Sequence, residues 1–255
     1  MSRLLIASLD RFGPLRDSVR DSLMSCTQTV ERFEAGQTIL AAGGRSQLRL
    51  LSRGLAVRQR VLPDGGRQIF GVATPGDLID MAGLFVGADH EVQALGSCEV
   101  RKTTTHELRT MVRAHPNLLA ALCRVVLTEA QQQRNWMIGL GRRSAAARTA
   151  NLLCEVYWRQ QALQLARDGH CEFPAVQGDI ADALGLSVVH IHRVLRGLRD
   201  DGLATLRNGT LQIDDWDKLA ALGSFDAERL RPQQDPAEQA TVTTARRHAI
   251  SPDEA

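Results

Sequence analysis

This chain of 255 residues has few aromatic residues and no large excess of charge of either sign. Aromatic side chains make up only 4% of it, so a hydrophobic core must be built mainly from Leu, Val, Ile and Ala, which suit helices as well as short strands. Charge is nearly balanced, because 31 basic residues face 29 acidic ones and the formal net charge is +2. Any affinity for nucleic acid must therefore come from the local placement of basic side chains.

Paired cysteines and long apolar runs are missing as well. The five cysteines are odd in number and widely spaced, with no Cys-x-x-Cys pair, which argues for a reducing compartment and against a disulfide framework or a zinc site. No run approaches the roughly 18 apolar residues of a membrane-spanning helix, and the N-terminus lacks the layout of a signal peptide. We therefore expect a cytoplasmic protein without a membrane partner or a bound metal, at a length that suits two domains.

Glycines punctuate residues 27–103 at intervals of roughly eight to twelve residues, between short runs of strand-forming residues. Residues 55–61 and 67–72 flank the sequence Pro63-Asp64-Gly65-Gly66, which predicts a β-hairpin. Many short strands separated by turns are typical of a sandwich or barrel. The first domain is therefore predicted to be an antiparallel β-roll.

Helical signals follow the β-roll. Thr104 and Glu107 have the spacing of a capping box, and Pro116 suits the first turn of a second, longer helix. The Gly-Leu-Gly sequence at 139–141 is predicted to interrupt that helix and to form a hinge between domains. Ser144 can then cap another helix.

Residues recur along the long helix at alternating steps of three and four, the spacing of a coiled-coil seam. The seam consists of Leu119, Leu122, Val126, Glu129, Gln133, Trp136 and Leu140. So narrow a stripe favours pairing with a second copy, and the alternative is packing on the β-roll of the same chain. For its polar residues, Glu129 and Gln133, we favour a role in fixing helix register over contact with a polar ligand.

The segment from Gln177 to Asp200 has the pattern of a helix-turn-helix. Gly185 can leave the first helix and Ser187 can cap the second. The inner face of the second helix consists of Ile191, Val194, Leu195 and Leu198, and the outward residues are Val188, Val189, His192, Arg193 and Arg196. Val176 offers no side-chain cap to the first helix and Gly178 lies in its first turn, each weakening its start by about 1 kcal/mol.

A hairpin is predicted directly after the second helix. Residues 203–213 contain Asn208-Gly209, a pair that tolerates positive φ at both positions of a tight turn. A hairpin at this place is typical of a winged helix-turn-helix, whose second helix enters the major groove while the wing lies near the backbone. Arg207 would then meet a phosphate.

Together these segments resemble the Crp/Fnr family of bacterial transcription regulators. The resemblance covers roughly residues 25–222 and rests on motifs in the family order: PGDLIDMAGLF at 75–85, CEV at 98–100, the long helix, ARTANLL at 147–153 and QGDIADALGLSVVHIHRVL at 177–195. It implies an α+β chain with an N-terminal antiparallel β jelly roll, a long dimerisation helix and a C-terminal winged helix-turn-helix.

The resemblance also implies a domain division and partners. We expect a cyclic-nucleotide-binding-like sensor domain over 1–114, a dimerisation helix and hinge over 115–141, the winged helix-turn-helix over 142–222 and a disordered tail over 223–255. The tail is rich in Pro, Gln, Asp, Glu, Thr and Ala. The expected function is transcription regulation, without enzymatic activity, by a homodimer on near-palindromic double-stranded DNA, with RNA polymerase as a further partner.

The predicted DNA-binding residues are Gln177, Ser187, Val188, Val189, His192, Arg193, Arg196 and Arg207. By the resemblance, Arg193 takes the position of an arginine that reads guanine, whose O6 and N7 a guanidinium can grip together. Val188 and Val189 stand where the cyclic-AMP receptor protein branch has Arg and Glu, so they can read only thymine methyl groups. The half-site is therefore expected to differ from that branch's.

The positions that bind nucleotide in other members do not match. Asp80-Met81 and Glu91-Val92 stand where those members have a Gly-Glu pair for the ribose and an Arg-Ser or Arg-Thr pair for the phosphate. An iron–sulfur cluster has no ligand set, because only Cys26 lies near the N-terminus. We expect independence from cyclic AMP, no cofactor and an unknown effector, for which Gln133 and Arg134 are the candidate contacts.

The sequence leaves two alternative functions to consider, an enzyme and a ligand-binding module. A β-roll enzyme of the cupin kind would need two or three His and a carboxylate on adjacent strands, and the β-domain lacks that set. A ligand-binding module whose helical half only dimerises would keep its DNA affinity unchanged on Arg193→Ala.

Overall fold

The computed structural model describes residues 2–10, 15–26, 29–44, 47–79, 81 and 87–230, without the side chains of residues 2, 3, 229 and 230. Asp80 and the predicted tail from residue 231 onward lie outside the described residues. Within the described residues the ordered chain extends beyond the predicted start of the tail at 223. Phe225 packs edge-on against Trp216, with ring centroids 5.7 Å apart, and a short 3-10 helix follows at Ala227–Leu230.

The chain runs from a helical N-terminus through a β-rich region into a mostly helical C-terminal half. The first elements are α1 (Ser2–Asp10), α2 (Asp17–Ser25), β1 (Thr29–Phe33), β2 (Thr38–Leu40), β3 (Leu48–Arg53), β4 (Ala56–Val61), β5 (Arg67–Ala73), β6 (Glu91–Ala94) and β7 (Cys98–Thr103). The later elements are α3 (Thr105–Ala114), α4 (Pro116–Arg142), α5 (Ala145–Gln161), β8 (His170–Glu172), α6 (Gln177–Leu184), α7 (Val188–Asp200), β9 (Ala204–Arg207), β10 (Thr210–Ile213) and α8 (Trp216–Gly223). Within the described ranges, no helix is both long and apolar enough to cross a bilayer.

Strands β1 to β7 form two antiparallel sheets, ordered β1-β7-β3 and β2-β6-β4-β5. Apolar side chains of both sheets, among them Leu51, Val92 and Val100, are buried in one cluster. Strands β4 and β5 pair as the predicted hairpin, and its loop uses Gly65 at φ +85°. The prediction of an antiparallel β-roll within an α+β chain is confirmed.

Helices α3 and α4 begin where the sequence predicts. The Thr104 side chain accepts from the Glu107 backbone N–H at 3.2 Å while Glu107 accepts from the Thr104 backbone N–H, and Pro116 is the first residue of α4. The predicted interruption at 139–141 is wrong, because α4 continues through both glycines to Arg142. A glycine costs a helix only about 1 kcal/mol, and this turn is held by hydrogen bonds from the Arg143 side chain to Asn135. The chain turns instead at 143–144, and Ser144 caps α5 as predicted.

The predicted seam on α4 is divided between two environments. Leu122 is 3% exposed in a cluster with α1 and α2, Glu129 pairs with Arg58 of β4 at 2.7 Å, and Trp136 donates to Glu155 of α5 at 2.9 Å. The buried Leu122 is therefore not available to a second copy, whereas Glu129 and Trp136 are half-buried and their assignment to a dimer interface stays a prediction. The other four, Leu119, Val126, Gln133 and Leu140, are exposed.

The C-terminal half shares a core with the β-roll. Val57 and Ile69 of the β4–β5 hairpin lie in the same buried cluster as Leu153 of α5, Ile180 of α6 and Ile191 of α7. Helix α5 lies at the centre of this cluster and also packs closely on α8. The helix-turn-helix is therefore fixed to the hairpin by apolar contacts.

Candidate DNA interface

Helix α6 begins with half of a capping arrangement. The Asp179 carboxylate accepts from the Val176 backbone N–H at 2.9 Å, but the valine side chain has no atom that can accept from the first turn. Gln177, the first residue of α6, is half-buried. The start of α6 therefore has only one of the two hydrogen bonds of a capping box.

The turn between α6 and α7 follows from two residues. Gly185 adopts φ +59°, a left-handed conformation that ends α6, and its backbone N–H donates to the Ala181 carbonyl. Ser187 then caps α7 by accepting from the His190 backbone N–H at 3.2 Å. The predicted helix-turn-helix is present at the predicted residues.

Helix α7 has a buried inner face and an exposed outer face. Ile191 and Leu198 are 0% and 3% exposed and pack into the shared core, with Val194 and Leu195 half-buried beside them. All the residues predicted to face outward are exposed, namely Val188, Val189, His192, Arg193 and Arg196, and so is Ser187 at the cap. An outer face with two valines and two arginines can make apolar contacts and donate hydrogen bonds.

The wing is the hairpin of β9 and β10. Its turn uses Asn208 at φ +50° and Gly209 at φ +74°, as predicted, and Arg207 at the end of β9 is exposed. A third strand, β8, pairs with the other side of β10. The sequence pattern does not reveal β8, because three residues are too few to show a strand period.

Basic side chains meet where α7 faces the wing. An open groove there is lined by Gln177, His192, Leu195, Arg196, Arg199, Thr205, Leu206 and Arg207. Arg193 and Arg207 form no ion pair among the residues that the structure describes. Arg199 is not among the predicted DNA-binding residues, although its spacing of three from Arg196 places both on one side of the helix.

Charged contacts tie this unit to the β-roll. Arg67 of β5 donates to Asp179 and to Asp182 of α6, each at 2.6 Å. Burial alone would lower the pKa of Arg67, but the hydrogen bonds to the two carboxylates raise it. Arg159 of α5 pairs with Asp77, whose pKa burial would raise but the Arg159 and Arg58 guanidiniums hold below its usual range.

The predicted effector residues separate in the structure. Gln133 lines an open groove of about 980 Å³ between the β-roll and α4, together with Arg58, Met81, His90 and Glu129. Arg134 is exposed and does not line it. Burial raises the pKa of Glu129 although the Arg58 guanidinium opposes this. No group of three metal-ligating side chains occurs within the described residues.

Two family models match the chain. A cyclic nucleotide-binding domain matches residues 30–115, and a Crp-like helix-turn-helix domain matches residues 147–222. These stretches contain the β-roll strands and the helix-turn-helix with its wing, respectively.

Several known proteins are similar over most of their length. The nitrogen fixation regulation protein FixK of Bradyrhizobium diazoefficiens is 28% identical over 75% of this chain and 81% of that protein. The transcriptional activator protein FnrL of Cereibacter sphaeroides is 30% identical over 68% of this chain and 71% of that protein. The solved structure of FixK2 from Bradyrhizobium japonicum shares the fold, with a TM-score of 0.69 and 22% identity over 77% of this chain and 97% of that one.

Proposed function

Because the chain belongs to the Crp/Fnr family of DNA-binding transcription regulators, we propose that it binds as a homodimer to a near-palindromic DNA site. Like its relatives, it is a regulator and not an enzyme. Two copies of α7 would enter successive major grooves about 34 Å apart, so the half-site centres lie about ten base pairs apart. The observation that carries this proposal is the exposed outer face of α7 over a buried inner face.

Base reading belongs to the N-terminal part of α7. Arg193 is exposed, which supports its assignment to guanine O6 and N7. Val188 and Val189, 50% and 65% exposed, have only methyl groups to offer, so they would contact thymine methyl groups. His192 lies on the same outer face and completes the base-reading set.

The residues around α7 would contact the DNA backbone. Ser187 at the cap, Gln177 at the start of α6, Arg196 and the wing residue Arg207 would bind phosphate oxygens and set the register of the helix in the groove. This assignment is supported by the exposure of Ser187, Arg196 and Arg207. Gln177 is half-buried.

Dimerisation would use the exposed side of α4. Its stripe consists of Leu119, Cys123, Val126, Ala130, Gln133, Met137 and Leu140. These residues recur at alternating steps of four and three, the heptad spacing of a two-stranded coiled coil. The stripe keeps the four exposed residues of the predicted seam and replaces the three that contact their own chain.

The sensor would act without cyclic AMP. Met81 is apolar and 6% exposed, so it cannot accept from a ribose hydroxyl, and Glu91 would repel a phosphate. The effector, if the regulator uses one, would contact Gln133 in the groove between the β-roll and α4. We also propose a sensor domain over 1–114, a winged helix-turn-helix domain over 142–222, a cytoplasmic location and RNA polymerase as a partner at the promoter.

Selection of bound sites from random double-stranded DNA by the full-length protein tests this function. We expect enrichment of a near-palindrome that has guanine in each half-site and thymines beside it. Failure to enrich any two-fold symmetric sequence would overturn the proposal.

A further inference from the structure

The groove between α7 and the wing has a charge arrangement that base reading does not use. It is lined by Arg196 and Arg199, from the last two turns of α7, by Arg207, from the wing, and by His192. The Arg196 and Arg199 side chains are 67% and 42% exposed. Three guanidiniums around one open groove form a site for an anion with several acceptor oxygens.

One carboxylate already occupies two of these guanidiniums. Asp200, the last residue of α7, lies 3.4 Å from Arg196 Nε through Oδ2 and 3.1 Å from Arg199 Nη2 through Oδ1. The hydrogen bond from Arg199 is the main reason why the pKa of Asp200 is lowered. Asp200 therefore stays ionised near neutral pH and holds both arginines.

We propose that this groove binds a DNA backbone phosphate and that Asp200 is its intramolecular competitor. Phosphate oxygens need the same guanidinium N–H groups that the carboxylate accepts from, so DNA must displace Asp200 from Arg196 and Arg199. This inference rests on the proposed function. It adds Arg199 as a phosphate-binding residue and Asp200 as a residue that weakens binding to every DNA sequence equally.

Asp200→Asn tests the competition in the full-length protein. With the duplex selected from random DNA and a scrambled duplex of equal length, we expect tighter binding to both, by up to about fivefold per protomer. The log–log salt dependence should stay close to that of the unaltered protein, because DNA displaces Asp200 there and the same phosphates are neutralised. The base preference should stay unchanged.

Asp201→Asn is the matched control. Asp201 adjoins Asp200, is also exposed and loses the same charge, but it forms no ion pair with Arg196 or Arg199. If both variants tighten binding equally, the effect is long-range charge and the competitor role is overturned. If Asp200→Asn leaves affinity unchanged, it is overturned as well.

Arg199→Gln tests whether Arg199 and Asp200 act at the same phosphate site. We expect it to weaken binding to both duplexes by the same factor and to reduce the effect of Asp200→Asn when the two are combined. Full additivity of the two changes would contradict the shared site.

If the unaltered protein enriches no sequence, the proposed function fails. If it enriches a palindrome while Asp200→Asn matches Asp201→Asn, only this inference fails.

Discussion

Arg193 lies on the outer face of α7 and forms no ion pair among the described residues. We expect Arg193→Ala to lose about 1 to 3 kcal/mol of binding free energy on the preferred site and to relax selection at one base pair in each half-site. Titration of a panel of single-base variants of the site measures both effects.

Arg207→Ala provides the comparison for this prediction. A phosphate contact carries no sequence information, so this variant should weaken binding almost uniformly across the panel. If Arg193→Ala gives the same uniform loss, then Arg193 contacts the backbone and the guanine assignment is wrong.

Val176 leaves the start of α6 with one of two reciprocal capping bonds. Because it is 65% exposed, a threonine there meets no packing obstacle, and its hydroxyl can accept from the Asp179 backbone N–H. We expect Val176→Thr to raise the free energy of unfolding by about 1 kcal/mol, measured by thermal denaturation. Val176→Ala is the control, and an equal rise in that variant would contradict capping as the cause.

At the scale of elements, local signals explain which parts the sequence could predict. The turn at Gly185, the cap at Ser187 and the wing turn at Asn208-Gly209 are each set by the residues that adopt them. Helices α1 and α2 have no comparable cap or turn residues, and they were not predicted from the sequence. They share a buried cluster with Leu122, so periodicity alone could not show that this residue of the seam packs inside its own chain.

The proposed pairing of α4 can be tested by placing a charge in the exposed stripe. Val126 is 44% exposed at the middle of the stripe, so Val126→Glu would place two carboxylates face to face in the coiled coil. We expect the unaltered protein to sediment as a dimer and this variant to sediment as a monomer at the same concentration. Gln131→Glu adds the same charge at an exposed position outside the stripe and should remain dimeric. A dimeric Val126→Glu would show that α4 pairs through other residues.

At the scale of the whole molecule, the β-roll and the helix-turn-helix behave as one packed unit. They share a buried core, and Arg67 adds hydrogen bonds from β5 to both Asp179 and Asp182. The sequence could predict the two units separately, but not this contact. The residues that meet across it, Arg67 and the two aspartates, lie more than 100 positions apart and belong to no shared motif.

Arg67→Ala would leave the Asp179 and Asp182 carboxylates without the cation that faces them. Both are partly exposed, so water screens part of the loss, and we expect unfolding to become easier by about 1 to 2 kcal/mol. Amide hydrogen exchange should accelerate in β5 and α6 together, because the bond joins them. Arg60→Ala removes an exposed arginine from the same hairpin and should change neither quantity. Faster exchange in β5 with unchanged α6 would mean that apolar packing alone holds the helix-turn-helix against the β-roll.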